Sequence, residues 1–311
     1  MKKIQLFLLT LLTFITYSFA QFIIPITDGT IYYVSSAKGN DAADGLTPKT
    51  ALFTIQRAVD MCSGTNHDYI MLLSSPALYD DDAVAAASSD DGYNKRLANS
   101  AVYINKPYVH IIGMQHPWEY NVVLKPSAAS SAGYMNLGAS ADYCSLENLT
   151  FSTTANPLVV FAAGASYNTI KGCAFHGGSM GVDADAGDCA RTVVENCYFE
   201  ENTTYGLTLH STDGILRNLV FKDDTGDFDC ALYITGAAPA LIDQIFINGA
   251  GVSDAGITVN TVNDVVLFNV FISGCTDNMA VSGTNSTGVQ NFTNPGGQGY
   301  GISAQDSTFV K

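Results

Sequence analysis

This chain is short of charge, of basic residues and of tryptophan. Charged residues make up 14 % of its 311 positions, and 14 Lys and Arg face 29 Asp and Glu for a formal net charge of −15. That balance disfavours nucleic acid, whose binding depends on neutralising phosphates, and anionic membrane surfaces. Beyond residue 20 no segment is apolar for the ~20 residues a spanning helix needs. The seven cysteines are odd in number and include no Cys-x-x-Cys, which argues against zinc. Most are expected to be small buried hydrophobes. The stretch Gly296-Gly-Gln-Gly299 lacks the strand and helix context of a phosphate loop and reads as a turn.

Apolar residues, by contrast, reach 47 %, enough for a sizeable core. Residues 1–20 carry the marks of a secretory signal. Lys2 and Lys3 precede an apolar run from Ile4 to Phe19, and Ser18-Phe19-Ala20 is a small-x-small cleavage site. The expectation is a mature chain from Gln21 that is secreted or held at the cell surface.

The main signal is a repeat, which decides the fold when present. Leu146-Glu-Asn-Leu-Thr-Phe151 recurs as Ile170-Lys-Gly-Cys-Ala-Phe175, Val194-Glu-Asn-Cys-Tyr-Phe199 and Leu216-Arg-Asn-Leu-Val-Phe221. It continues as Ile242-Asp-Gln-Ile-Phe-Ile247, Leu267-Phe-Asn-Val-Phe-Ile272 and Val289-Gln-Asn-Phe-Thr-Asn294. The first, fourth and sixth positions are predominantly apolar. Asn148, Asn196, Asn218, Asn269 and Asn291 share the third position, where Asn suits a left-handed turn. Stacked at one corner, they are expected to form an amide ladder that satisfies buried turn groups. About ten residues after each unit comes an alternating strand, such as Gly181–Asp185, Gly206–His210, Ala231–Thr235 and Gly256–Asn260. Two or three short strands per rung describe an all-β, single-stranded parallel β-helix, whose right hand is what the resemblance given next implies. Residues 21–68 are expected to supply a first strand and a capping helix, with Ile55, Ala58, Val59 and Cys62 on one face. Residues 69–311 form the solenoid, with an acidic loop excursion at 80–99.

The segment Ile31-Tyr-Tyr-Val-Ser-Ser-Ala-Lys-Gly-Asn-Asp-Ala-Ala-Asp-Gly45, followed by Thr54-Ile-Gln-Arg-Ala-Val59, resembles the N-terminal segment of the pectin-lyase-like right-handed β-helix superfamily. With the repeats, the resemblance covers most of residues 31–305. It implies the fold and leaves function open, because lyases, glycosidases, tailspikes and non-catalytic surface proteins share it. Polygalacturonase-type hydrolases carry Gly-His-Gly and Arg-x-Lys, and neither occurs here. The similarity to calcium-dependent pectate lyases implies a calcium site at Asp223, Asp224 and Asp227, where Asp-Asp-x-x-Asp matches. Calcium is the one cofactor suggested. The lysine base of those lyases has no counterpart, since only Lys311 follows Lys222.

Strand register supplies a second candidate. With Val182 and Ala184 inward, Asp183 and Asp185 point outward, as do Thr208 and His210, then Tyr233 and Thr235, then Thr258 and Asn260. Two same-face carboxylates on one strand lie ~6–7 Å apart. Asp183, Asp185 and His210 are the candidate catalytic groups, and Tyr233 and Asn260 the candidate substrate contacts. Polar residues are also what any wet sheet face carries. His176 is expected to be structural, and Trp118 to be a packing residue. Two readings remain: a protein that binds or cleaves an extracellular polysaccharide along this face, and a non-catalytic structural or adhesive shaft. A glycan is the expected partner, and an oligomer is compatible with either.

Overall fold

The computed structural model describes residues 28–80, 102–114, 122–125, 133–153, 157–224, 228–236, 241–261, 265–282, 286–290, 302–304 and 308–310. Residues 1–20, read above as an expected signal segment, the acidic stretch 81–99, Trp118, Asp227 and Asn291 lie outside them. Among the described residues, 21 strands join one continuous parallel sheet that winds into a solenoid with three faces.

Face one stacks Ile31–Val34, Asp68–Leu72, Val109–Gly113, Ser145–Glu147 and Thr169–Lys171, and continues through Val193–Glu195 and Ile215–Arg217. Face two stacks Thr150–Thr153, Ala174–Gly177, Cys197–Glu200 and Leu219–Lys222. Face three stacks Met135–Leu137, Val159–Phe161, Met180–Ala184, Tyr205–Leu209 and Cys230–Gly236, then residues 255–261.

Inside, the repeat positions become columns. Ile70, Ile111, Leu146, Ile170, Val194, Leu216, Ile242 and Leu267 stand in register, each with no exposed surface. Val289 continues the backbone pairing from Leu267. The sixth position gives a second column in which the rings of Phe151, Phe175, Phe199 and Phe221 stack at 5.1, 4.8 and 4.7 Å. Offset stacking adds to the burial of such large rings. All seven cysteines are free and buried. Burial pushes the thiols of Cys62, Cys144, Cys189 and Cys275 up to about 12.

The third-position corner differs from expectation in one respect. Asn148, Asn196, Asn218 and Asn269 adopt φ of 55°, 56°, 52° and 49°, with Gly172 and Gln244 doing the same on the rungs between. Asn196 and Asn218 are exposed, however. Their amides bond each other, Asn218 Nδ2 donating to Asn196 Oδ1 at 2.8 Å. A left-handed residue at a convex corner throws its side chain outward, so this ladder runs in solvent instead of satisfying buried groups.

The first turn explains the quoted N-terminal segment physically. Asp41 Oδ1 accepts from the Phe53 and Thr54 amides at 2.8 and 2.9 Å, and Oδ2 from the Thr54 hydroxyl at 2.9 Å. Thr54 in turn caps the helix Ile55–Met61 by accepting from Arg57 N. Gly39 passes so close to the Leu52 carbonyl that a Cβ there would lie 2.0 Å from its oxygen. The helix buries Ile55, Ala58 and Val59, followed by Cys62, in the main core. It covers an end that would otherwise leave the first rung's apolar interior in water.

Candidate functional site

Face three carries the predicted cluster, and the register holds. Asp183 pairs with Thr208, Thr208 with Tyr233, and Tyr233 with Thr258. Two residues on, the His210 amide bonds the Ala184 carbonyl, and Thr235 pairs with Asn260. Inward Val182, Ala184, Leu207, Leu209, Leu232 and Ile234 are buried. They hold the register, because a one-residue slip would turn them into water.

The outward side chains make contact across rungs. Asp183 Oδ1 accepts from Thr208 Oγ1 at 3.2 Å and from the Asp185 amide at 3.4 Å. Thr208 is outward yet only 1 % exposed, so its neighbours cover it. The rings of Tyr205 and Tyr233 stack at 5.3 Å and 19°. Asn260 Nδ2 donates to Tyr233 Oη at 3.2 Å. The imidazole of His210 lies on bare backbone: a Cβ on Gly236, whose φ is +64°, would sit 2.3 Å from His210 Cε1. Partial burial and the Asp183 carboxylate raise the Asp185 pKa above its ordinary value, with His210 acting the other way. Tyr205 is the member that sequence reasoning missed. Its signal was present, since Tyr205 opens the strand preceding that of Tyr233.

The Asp-rich loop is less convergent. Asp223 is fully buried and accepts from the Phe228 amide at 3.0 Å. Asp224 is exposed and pairs with Lys222. The two side chains therefore diverge, and among the described residues no group of three or more His, Cys, Asp or Glu gathers around a common metal position.

His176 belongs to a separate polar cluster on face two. Its Nδ1 lies 2.8 Å from Glu200 Oε2, and Tyr198 Oη and Lys222 Nζ donate to Glu200 Oε1 at 3.0 and 3.3 Å. Partial burial opposes ionisation of Glu200, but the Tyr198, His176 and Lys222 contacts outweigh it and lower its pKa. This is a structural cross-rung tie of the kind expected for His176.

A family model described as "Right handed beta helix region" matches residues 127–238. Among solved structures, the pectin methylesterase from Aspergillus niger aligns with TM-score 0.57 at 14 % identity, over 91 % of this chain and 91 % of its own. A rhamnogalacturonan lyase aligns with TM-score 0.56 at 10 % identity, over 84 % and 74 %. The fold is a pectin-lyase-like right-handed parallel β-helix. The pectate lyase Pel9A aligns with TM-score 0.50 at 14 % identity, over 89 % and 79 %. A comparison of the sequence with curated proteins finds no match. At these identities the likeness is one of fold, and the β-helix contributes its stacked faces rather than a set of roles. Among the described residues no helix is long and apolar enough to cross a membrane.

Proposed function

We propose that this is an exported protein, secreted or held at the cell surface, that binds an extracellular polysaccharide along face three. The observation that carries the reading is one of placement. A carboxylate pair, an imidazole and two stacked tyrosines meet on one face from three successive rungs. Supporting it, solved structures of like fold are named for rhamnogalacturonan, pectin and pectate. Hydroxyl-rich chains suit such a face, with Tyr233 and Asn260 as contacts and Asp183 as an acceptor of sugar hydroxyls.

One observation favours cleavage as a second step. Asp185 holds its proton to higher pH than an ordinary carboxylate, the property of a general acid that protonates a leaving oxygen. Asp183, ~6–7 Å away along the strand, sits near the lower limit for the base of an inverting pair, and His210 assists proton transfer. Calcium at Asp223, Asp224 and Asp227 is a further proposal resting on carboxylate density. A melting curve in calcium against chelator, for parent and Asp224→Ala, checks it.

A glycan array run beside reducing-end and unsaturated-product assays tests the main reading. Tyr233→Ala should weaken binding about tenfold. Asp183→Asn and Asp185→Asn should remove turnover while leaving binding largely intact. A parent that binds no glycan, or binding indifferent to Tyr233→Ala and His210→Ala, assigns face three to solvated surface and the chain to a structural shaft.

A further inference from the structure

A different face of the β-helix holds a groove of about 400 Å³, within the size range of small-ligand sites. Its floor is the outward side of face one. Tyr69, His110, Ser145 and Thr169 stand in one column, and Ile112, Glu147, Lys171 and Glu195 in the next. Its wall is the corner bearing Tyr143 and Tyr167.

The floor is wired in one direction. Ser145 Oγ donates to Glu147 Oε1 at 2.9 Å, and its lone proton is then spent. His110 Nδ1, 2.9 Å from the same oxygen, must therefore be the donor to it. His110 Nε2 is left as the acceptor from His67 Nδ1 at 2.8 Å. The His110 tautomer is thereby set, and the polarity of the chain ends on Glu147. Burial and the neighbouring His67 depress the His110 pKa to about 4, so this ring is neutral near pH 7.

The wall is built against backbone preference. Tyr108, Tyr143 and Tyr167 adopt φ of 63°, 56° and 61°, a region that bulky residues rarely occupy. Their rings stack at 5.4 and 4.6 Å, with Arg191 over the far face of Tyr167. The faces cover one another, so a ligand meets ring edges and phenol hydroxyls. Tyr143 and Tyr167 remain 42 % and 40 % exposed. Burial and the adjoining tyrosines raise the pKa of the Tyr143 hydroxyl, keeping it a donor.

We propose that this groove is a second glycan subsite, taking one or two neutral sugar units by hydrogen bonds to the Glu147 and Glu195 carboxylates and the Tyr143 and Tyr167 hydroxyls. Charge sets the class. Lys171 is already engaged by Glu195 at 3.0 Å, and Glu195 also binds Arg217. A uronate would meet the Glu147 carboxylate and find both neighbouring cations, Lys171 and Arg217, already engaged by Glu195, whereas neutral hydroxyls find acceptors and donors both. The inference does not rest on the reading of face three.

The test is calorimetric titration with xylo-, manno-, cello- and galacto-oligosaccharides and with oligogalacturonate. It uses the parent, Tyr167→Phe, Glu147→Gln and, on the other face, Tyr233→Ala. Tyr167→Phe keeps the stacked ring and removes only the hydroxyl, so folding is not at issue. At least one neutral oligosaccharide should bind, and Glu147→Gln should weaken it about tenfold or more, as for a lost hydrogen bond to a charged group. Tyr167→Phe should weaken it to a lesser degree, and Tyr233→Ala should leave this component unchanged. The proposal is overturned by a parent that binds none of the neutral probes. It is equally overturned by a preference for oligogalacturonate, or by neutral binding that Tyr233→Ala removes and the two groove variants leave intact. Loss of the face-three component alone would count against the main reading and not against this one.

Discussion

At one corner of the β-helix, Asn148, Asn196, Asn218 and Asn269 hold positive φ. At another, Tyr108, Tyr143, Tyr167, Arg191 and Asp213 hold it. The backbone asks the same of both, a left-handed residue on each rung. Asn meets the request cheaply, since it tolerates that region. Tyr does not, so tyrosine on three rungs leaves the second corner carrying backbone strain that the first avoids. The first corner is a turn of the fold, and the second carries an exposed row of stacked rings at a cost in backbone strain.

The largest effect should be blind to that distinction. Phe199 lies within the stacked core that supports both corners, and Phe199→Ala should cost about 3–5 kcal/mol in a denaturant melt. A much smaller loss would mean that the rungs are less coupled than their register implies.

Acid should then separate the two corners. His110 faces His67, Tyr69, Ser145 and nearby Asp68 and Glu147, and its folded pKa of about 4 lies below the ~6.5 of an unfolded imidazole. Between those values the unfolded chain takes up a proton that the folded chain refuses. Stability should therefore fall as pH drops through that window, by about 3 kcal/mol. In His110→Gln that part of the pH dependence should vanish, while the same measurement in Asn218→Ala should keep it.

Corner substitutions probe the comparison directly. Asn218→Ala removes the amide that suits φ 52° and bonds Asn196 and should cost about 1–2 kcal/mol, with Asn218→Gly close to neutral. Tyr143→Gly relieves a similar strain but loses ring stacking of about 0.5–1.5 kcal/mol. Its net stability change should thus be near zero. Equal losses for Tyr143→Gly and Asn218→Ala would erase the contrast between the corners. The smallest effect belongs to Asp185→Asn. The raised carboxyl destabilises the folded state only once ionised, so the substitution should raise Tm slightly at pH 7 and leave it unchanged at a pH low enough to protonate the acid.

Much of this was legible in the sequence because side-chain period and repeat period agree. Leu146, Ile170, Val194 and their successors announced the core column, and the alternation around Val182, Leu207 and Leu232 put Asp183, His210 and Tyr233 outward. The face-one groove escaped because His67 and His110 sit on early rungs whose connections are long and unequal, so the phase is lost upstream of Leu146. Two signals were nevertheless printed in the repeat. Its second position reads Glu147, Lys171, Glu195, Arg217, Asp243, an alternation of charge that stacking turns into cross-rung pairs. Three residues before its first position stand Tyr143, Tyr167, Arg191 and Asp213. Residue type alone did not reveal them, because a lone tyrosine in a turn looks like any other until the rungs are aligned.

The seven sealed thiols give the molecule a memory of its own folding. While the solenoid is closed all seven are buried away from solvent, and the thiols of Cys62, Cys144, Cys189 and Cys275, raised to about 12, yield almost no thiolate. Once the rungs part, the same sulfurs regain ordinary reactivity along a single chain, and in an oxidising medium they can join in pairings that no native rung allows. Opening in such a medium becomes a one-way event, and the lifetime of the protein there is governed by how rarely its rungs separate rather than by how favourably they close.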